Sequence, residues 1–415
     1  MGKIFKTKNS ASGDLISYYT DAGTVTPEFQ VVKNILSNSV IFPHYRLNWL
    51  NPDESIKEII PEADILNGGT FNENYQNGQR RSLSVTLFNE TGKYTPSINS
   101  VWTNTKFSFD LGIEAPNGDI IWFKKGVFSV SQANPIHDTS AKSVTLELSD
   151  KFSMFEDARG TLETSYTIPV GTIIEDALKD ILLFQTGDGN CYDRRPIIYN
   201  SVFKGKKTQA TISKEAGSTF GEIISDLCLQ LNAEYFYDVE GCLNIIPIND
   251  VTNDVDKIII DEIYQDNGDF GSNNINIDFQ NVVNRVYVIG ATVDGEIYQA
   301  TAVNNNPASP ICYQRIGFRT AAPINDTNIT SKILAQDRAD YELRNKTIIK
   351  STISTSATLN PLYLVNNILS ITDDFYNFKQ EKFLIQSLSY SLDYSPNMSI
   401  TSTNTRNLPF FTARR

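Results

Sequence analysis

Residues 82–87 read Ser-Leu-Ser-Val-Thr-Leu, a strict alternation of hydroxyl and apolar side chains. Successive side chains of a β-strand point to opposite faces of a sheet, so this alternation predicts a strand with one apolar and one polar face. The same period of two recurs at residues 107–113 and 144–148, in segments rich in aromatic and β-branched residues. We therefore expect most of the chain to be sheet.

Turns that contain glycine separate these predicted strands. The pair Asn117-Gly118 suits a type I′ hairpin turn, because both residues tolerate positive φ. Further hairpins are predicted across Glu240-Gly241 and Asp294-Gly295, each flanked by apolar runs. The pattern favours antiparallel pairing between neighbouring segments.

Three segments have the apolar spacing of helices instead. The first is expected to begin at Thr172 and the second near Thr219, each followed by a glutamate three residues later as in a capping box. The third is predicted over residues 329–344, with a stripe formed by Ile329, Ile333, Ala335, Ala339 and Leu343. Small residues at its centre allow close approach, which makes Ala335 and Ala339 candidate interface residues, although packing in the chain's own core explains them equally well.

The distribution of strands and helices predicts three domains. Residues 1–155 form an N-terminal β domain, residues 156–250 an α+β domain with two helices and hairpins, and residues 251–415 a C-terminal β domain with one helix. Stretches rich in Asn and Asp at residues 249–256 and 265–276 are expected to be linkers or surface turns. The predicted fold class is β-rich α+β.

Composition excludes several classes of function. The 415 residues include 36 Lys and Arg and 48 Asp and Glu, a net charge of −12, which argues against wrapping nucleic acid or coating an anionic membrane. No run approaches 18 consecutive apolar residues and no secretion signal is visible, so neither a membrane span nor export is expected. Four cysteines without a C-x-x-C pair indicate a reducing compartment.

Candidate chemical groups are few. The pair His137-Asp138 could serve Ser131 or Ser140, but adjacent residues on a turn rarely face one another. His44 is expected to be a partly buried packing residue, and two distant histidines exclude sites that need several imidazoles. Further candidates are a loop at residues 187–190 and the basic run at residues 204–207. Cys191 and Cys312 are candidate exposed thiols, and a last candidate is the acidic series Asp250, Asp254, Asp256, Asp261 and Glu262. None of them predicts a catalytic, cofactor or metal site.

Three passages of the chain resemble a known family in their order and spacing. They comprise Lys125-Gly126-Val127-Phe128-Ser129-Val130 with Leu148-Ser149-Asp150-Lys151-Phe152 and Ile168-Pro169-Val170-Gly171-Thr172; the second helix with Ala233-Glu234-Tyr235-Phe236-Tyr237-Asp238 and Gly241-Cys242-Leu243; and Asn284-Arg285-Val286-Tyr287-Val288-Ile289-Gly290, Asn306-Pro307-Ala308-Ser309-Pro310, Arg315-Ile316-Gly317 and Asn360-Pro361-Leu362-Tyr363. Together they resemble the baseplate hub proteins of phage tails, including those of defective prophages and related contractile particles, from about residue 70 to 395.

The resemblance implies a fold in which β-barrel domains like those of tail-tube proteins are joined to smaller α/β domains. It implies a homotrimer whose barrels form a ring at the end of the tail tube, with tube proteins above and a spike or fibre protein below. A tape-measure protein is a further implied partner, and DNA would pass through without specific binding. The implied location is the virion, after assembly in the host cytoplasm.

The leading prediction is thus a structural hub rather than an enzyme. Strand edges need covering, which ring assembly achieves, and negative charge would keep DNA from adhering to a channel wall. The alternative is an all-β adhesin for a host surface or carbohydrate. It needs an exposed aromatic platform, but Trp49, Trp102 and Trp122 are far apart in sequence and two of them lie in strand-like contexts. A weaker alternative is a glycosidase that uses two carboxylates.

Overall fold

The structure of the chain is a computed structural model. The structure describes residues 5–8, 15–20, 41–98, 100–116, 118–137, 142–186, 190–231, 233–247, 259–264, 270–277, 279–280, 282–293, 295–326, 329, 331–346, 351–395 and 397–404.

Strands make up most of the described chain. They are β1 Phe5–Lys8, β2 Leu15–Thr20, β3 Pro43–Leu50, β4 Ile56–Ile60, β5 Ile65–Asn74, β6 Arg81–Phe88, β7 Lys106–Glu114, β8 Ile120–His137, β9 Lys142–Asp150, β10 Tyr166–Ile168, β11 Ile198–Tyr199, β12 Ile212–Lys214, β13 Ala233–Tyr237, β14 Leu243–Pro247, β15 Ile259–Tyr264, β16 Phe270–Ile277, β17 Arg285–Val293, β18 Glu296–Val303, β19 Ile324–Asn325, β20 Ser351–Thr358, β21 Ile368–Asp373, β22 Phe378–Leu392 and β23 Asn397–Asn404.

The helices are fewer and shorter. They are α1 Ser153–Glu156, α2 Ile174–Leu182, α3 Phe220–Leu231, α4 Tyr313–Ile316 and α5 Lys332–Lys346. None of the helices in the described ranges is long and apolar enough to cross a membrane.

One large sheet dominates the fold. Its strand order is β16-β20-β23-β22-β5-β6-β9-β8-β7-β3-β4, with antiparallel pairing along this path, and β1, β2, β15 and β21 join it at the side. The pair β22–β5 connects strands from the first and last thirds of the chain. Within the described strands this ladder runs from β16 to β4 and does not close.

The large sheet curls around its own apolar face. Phe71 on β5 stacks on Phe109 of β7 with ring centroids 6.0 Å apart, although three strands separate β5 from β7 in the sheet order. The Tyr45 hydroxyl of β3 donates a 2.7 Å hydrogen bond to the carbonyl oxygen of Asp393, just beyond β22. Strands from both ends of the chain therefore enclose one shared core.

A second core belongs to residues 152–247, which we call the helical unit. Helices α2 and α3 bury their apolar stripes against each other and against the small sheet β11-β14-β13. Ile174, Leu178 and Ile181 of α2 are completely or almost completely buried. Burial of such a stripe, rather than helix propensity, supplies most of the stability of short helices.

A third core lies in residues 282–346, which we call the small unit. Here α5 packs on the hairpin β17–β18. Ala335 and Ala339 are fully buried in this core. They therefore pack within the chain, which is one of the two explanations that the sequence allowed. Their participation in an interface stays a prediction.

The structure confirms the β-rich α+β class and corrects details of the helices. The Thr172 hydroxyl does not cap α2, because it donates to the Pro169 carbonyl oxygen instead. The cap at Thr219 is present, since its hydroxyl accepts a hydrogen bond from the Glu222 N–H. Helix α5 begins at Lys332 rather than 329, and Ile333, predicted on its apolar stripe, is 75% exposed.

Candidate functional site

A cleft lies where the large sheet meets the helical unit. It has a volume of about 1160 Å³ and is lined by the β3–β4 turn, the start of β7, the end of β9 and the loop that follows α2. Its charged lining residues are Lys57, Lys106, Lys151, Arg159, Arg194, Arg195, Asp53, Glu54 and Asp193. The cleft therefore carries an excess of positive charge in a chain of net charge −12.

Glu54 is the centre of the charge network in this cleft. Its carboxylate contacts Lys106 Nζ at 2.7 Å, Lys151 Nζ at 2.6 Å and Arg195 Nε at 2.9 Å. Burial alone would raise the pKa of Glu54, but Lys151 and Lys106 outweigh burial and lower it to about 2. The backbone of Glu54 has a φ of 65°, which is uncommon for a residue with a side chain, and the three ion pairs help to offset that strain.

Asp193 shares one of these cations. Lys151 Nζ lies 2.7 Å from Asp193 Oδ2, and the Tyr237 hydroxyl donates to the same oxygen at 2.9 Å. The second oxygen accepts the backbone N–H of Arg195. Lys151 is completely buried between the two carboxylates, which is tolerated because a buried charge is stable only when it is paired and hydrogen-bonded.

Two carboxylates beside one ammonium do not make the acid and base pair of a glycosidase. A general acid must hold a proton near neutral pH, whereas the pKa of Glu54 is about 2. Of the predicted acidic series, Asp250, Asp254 and Asp256 fall outside the described residues, and the remaining two lie in β15. The described residues contain no cluster of three or more potential metal ligands.

A second charged cluster is buried beside the cleft, and we call it the junction. Arg81 donates to Glu73 Oε1 from Nε at 2.8 Å and to the Tyr237 carbonyl oxygen from Nη1 at 2.8 Å. Arg80 pairs with Glu234 and lies over the Phe236 ring at 3.7 Å. Strands β5 and β6 of the large sheet are thereby tied to β13 of the helical unit.

Asp150 anchors the same junction from the end of β9. Its carboxylate accepts the backbone N–H groups of Arg80, Arg81 and Phe152 at 2.6, 3.0 and 3.0 Å. Complete burial raises the pKa of Asp150 to about 6, although these three donors oppose the shift.

The remaining predicted candidates lie apart from both clusters. His44 contacts Glu62 at 3.1 Å and is partly buried, and His137 is exposed at the end of β8. The Ser131 hydroxyl donates to the Glu147 carbonyl oxygen, while Asp138 and Ser140 fall outside the described residues. The exposed run at residues 204–207 forms a loop.

The cysteines and tryptophans named as candidates do not come together in one site either. Cys312 was expected to be exposed but is 1% exposed, because its loop packs in the small unit. Cys191 is partly exposed in the cleft wall. Trp49 and Trp122 are buried and only Trp102, at 49% exposure, reaches the surface, so the three tryptophans do not form an aromatic platform.

No protein-family model and no curated protein sequence matches the chain. Solved structures match most of it. The 43 kDa tail protein of prophage MuSo2 from Shewanella oneidensis aligns with a TM-score of 0.56 and 13% identity, over 87% of this chain and 98% of that one. The chain has the fold of prophage tail proteins.

Two further tail proteins support this assignment of the fold. A tail protein from Neisseria meningitidis MC58 aligns with a TM-score of 0.55 and 9% identity, over 87% of this chain and 97% of that one. Prophage tail protein gp18 from Listeria monocytogenes EGD-e aligns with a TM-score of 0.51 and 12% identity, over 87% and 94%. The predicted resemblance to phage tail proteins is confirmed for the fold.

In this tail-protein fold, sequence reasoning did not find the cleft or the junction. One signal was present for the junction: Arg81 precedes Leu83, Val85 and Leu87 in the row of buried side chains on β6. A cation on the inward face of a strand requires a buried partner. The cleft had no comparable signal, because Glu54 and Arg195 lie 141 positions apart.

Proposed function

We propose that this chain is a structural protein of a phage tail, the hub of the baseplate at the distal end of the tail tube. The observation that carries the proposal is the match to three tail proteins, two of them from prophages, along nearly their whole lengths. A shared fold does not by itself assign function. Here, however, the proteins with this fold are named as tail proteins in three different bacteria.

The exposed edge of the large sheet supports a role in assembly. In the described residues β4 pairs only with β3, which leaves the other side of β4 without a strand partner. Ile56 and Ile59 on this strand are 38% and 51% exposed. Unprotected apolar edges favour pairing with another chain, so we assign β4 to a contact between subunits or with a neighbouring tail protein.

The proposal also covers the barrels, the ring of three copies and the channel of the hub. We infer that the curled sheet forms the tube-like barrels, since Tyr45 already links β3 to the end of β22. Three copies would then complete a ring between the tail tube and the spike or fibre protein. The net charge of −12 suits a channel through which DNA moves, because like charges repel phosphate groups.

The role we propose is not enzymatic. The two buried carboxylates of the cleft, Glu54 and Asp193, are paired with Lys151, an arrangement that serves structure rather than proton transfer. An adhesin that binds carbohydrate is less well supported, because two of the three tryptophans of the chain, Trp49 and Trp122, are buried.

The native mass of the purified chain, together with negative-stain images, tests the assembly. We expect a species of three chain masses with a central opening. The variant Ile59→Asp places a charge on the β4 edge and should reduce the trimer, whereas Ile333→Asp, on the exposed side of α5, should not. A monomer at all concentrations, or equal loss in both variants, would contradict assembly through β4.

A further inference from the structure

We propose that the charged cleft is a binding site for an acidic peptide segment of a partner protein. The proposal concerns a property of the isolated chain and does not depend on its being a tail hub. Six lysines and arginines line the cleft against three carboxylates. The excess is the reverse of the charge balance of the whole chain.

The carboxylates of the cleft are already satisfied. Glu54 has three cationic partners and Asp193 contacts Lys151 and Tyr237. Asp53 accepts hydrogen bonds from the Ser55 N–H and hydroxyl, at 3.0 and 2.6 Å. These anions therefore do not need a ligand cation, and they fix the positions of the basic groups around them.

Several basic groups retain donors that point to no acceptor in the described residues. Arg194 is exposed and its side chain has no hydrogen bond or ion pair there. Arg195 uses Nε for Glu54, which leaves the two terminal nitrogens of its guanidinium group. Lys57 is exposed, and its Nζ lies 3.9 Å from the centre of the Trp49 ring rather than beside a carboxylate. Guanidinium groups bind carboxylates with paired hydrogen bonds, so this set suits aspartate and glutamate side chains.

The walls of the cleft favour a peptide over a nucleic acid. The exposed rings of Pro52 and Pro196 supply apolar surface among the charges, which side chains of a peptide can contact. Asp53, Glu54 and Asp193 interrupt the positive surface, and a phosphodiester backbone would have to pass close to them. The volume of about 1160 Å³ exceeds that of an ordinary small-molecule pocket.

Fluorescence anisotropy with a rhodamine-labelled hexaglutamate peptide tests the site directly. We expect saturable binding to the full chain at low salt and weaker binding as ionic strength rises, because exposed charges are screened. A labelled hexalysine peptide of the same length should not bind at this site. Absence of saturable hexaglutamate binding would overturn the proposal.

Two pairs of substitutions distinguish this cleft from general charge effects. Lys57→Ser with Arg194→Ser removes two exposed cations from the cleft, and each contact to a charged group is worth about tenfold in affinity, so we expect a loss of at least that factor. The control pair Lys206→Ser with Lys207→Ser removes the same charge from an exposed loop outside the cleft lining. The control should bind the peptide like the unmodified chain.

Other outcomes decide against the assignment. Equal loss in the two pairs of variants would show non-specific attraction. Tighter binding of labelled oligothymidylate than of hexaglutamate, lost in the cleft variant alone, would assign the site to nucleic acid instead. Unchanged thermal unfolding of both variants, followed by circular dichroism, ensures that the comparison concerns folded proteins.

Discussion

The interior of the large sheet and the junction with the helical unit bury side chains of opposite character. In the interior, Leu83, Val85 and Leu87 continue one apolar row. At the junction, the same row on β6 ends in Arg81, and the row on β9 ends in Asp150. Apolar burial has little directional preference, whereas paired charges require defined partners. The comparison indicates that the interior supplies stability while the junction fixes how the helical unit sits on the sheet.

The largest effect is expected where a buried charge loses its partner. Arg81→Ala leaves the buried Glu73 carboxyl group without its guanidinium partner, and also removes the hydrogen bond to the Tyr237 carbonyl oxygen. We expect the free energy of unfolding to fall by about 3 to 5 kcal/mol. Urea unfolding followed by tryptophan fluorescence measures this loss.

A double variant sharpens the same point. Arg81→Met with Glu73→Leu removes both charges and keeps apolar volume, so it should recover most of the stability lost in Arg81→Ala. If the double variant is as unstable as the single one, the cost does not come from an unpaired charge, and the distinction between interior and junction fails.

A cavity in the sheet interior should have a somewhat smaller effect. Leu83 is 1% exposed in the shared core, and Leu83→Ala should lower the free energy of unfolding by about 3 kcal/mol through lost burial and an unfilled cavity. The same urea experiment applies. The control is Ser213→Ala. Because Ser213 is exposed, this substitution should hardly alter the free energy of unfolding. A similar loss in both variants would contradict the assignment of Leu83 to the core.

The junction should also respond to pH, unlike the interior. The pKa of Asp150 is raised from 3.8 to about 6, so the folded chain binds this proton more tightly than the unfolded chain. Its contribution to stability is therefore present at low pH and is lost as pH rises through about 6. Between pH 7 and pH 5 we expect a gain of about 1 kcal/mol from this group.

Urea unfolding at the two pH values, compared with Asp150→Asn, isolates that contribution. The gain should be present in the unmodified chain and absent from the variant. Glu54 does not interfere, because a carboxylate with a pKa of about 2 stays ionised throughout this range. A variant that gains as much as the unmodified chain would show that Asp150 is not responsible.

The smallest effect is expected for a pair at the surface of the small unit. Arg338 Nε lies 3.0 Å from Glu342 on α5, one turn away. Arg338→Ala should change the free energy of unfolding by no more than about 0.5 kcal/mol, because solvent screens such pairs. A loss comparable to that of Arg81→Ala would mean that burial does not determine what an ion pair contributes.

The sequence predicted the elements whose pattern is local. Alternation located β6, β7 and β9, and helical spacing located α2 and α3. The cap of α2 was wrong because Thr172 has a competing acceptor in Pro169, which depends on how the preceding loop folds. Ile333 was misplaced because it precedes Ala339 by six residues, which at 3.6 residues per turn is about 120° around the helix from the buried stripe of α5.

The cleft and the junction depend on distant segments. Arg80 and Glu234 are 154 positions apart, and no local pattern pairs them. The alternation of β5 did indicate that Glu73 is buried, because Glu73 lies two positions after Phe71 and therefore on the same inward face. A rule that charged residues at the ends of apolar rows are buried would have identified Glu73, Arg81 and Asp150. It would not have identified their partners in the helical unit.

The most direct test of the central claim is the position of this protein in a particle. Tails isolated from the bacterium that produces the chain can be labelled with a gold-conjugated antibody against it and imaged by negative-stain electron microscopy. We expect gold at the distal tip of the tail. Label along the tube, on the capsid, or absent from intact tails would contradict a hub at the end of the tail tube.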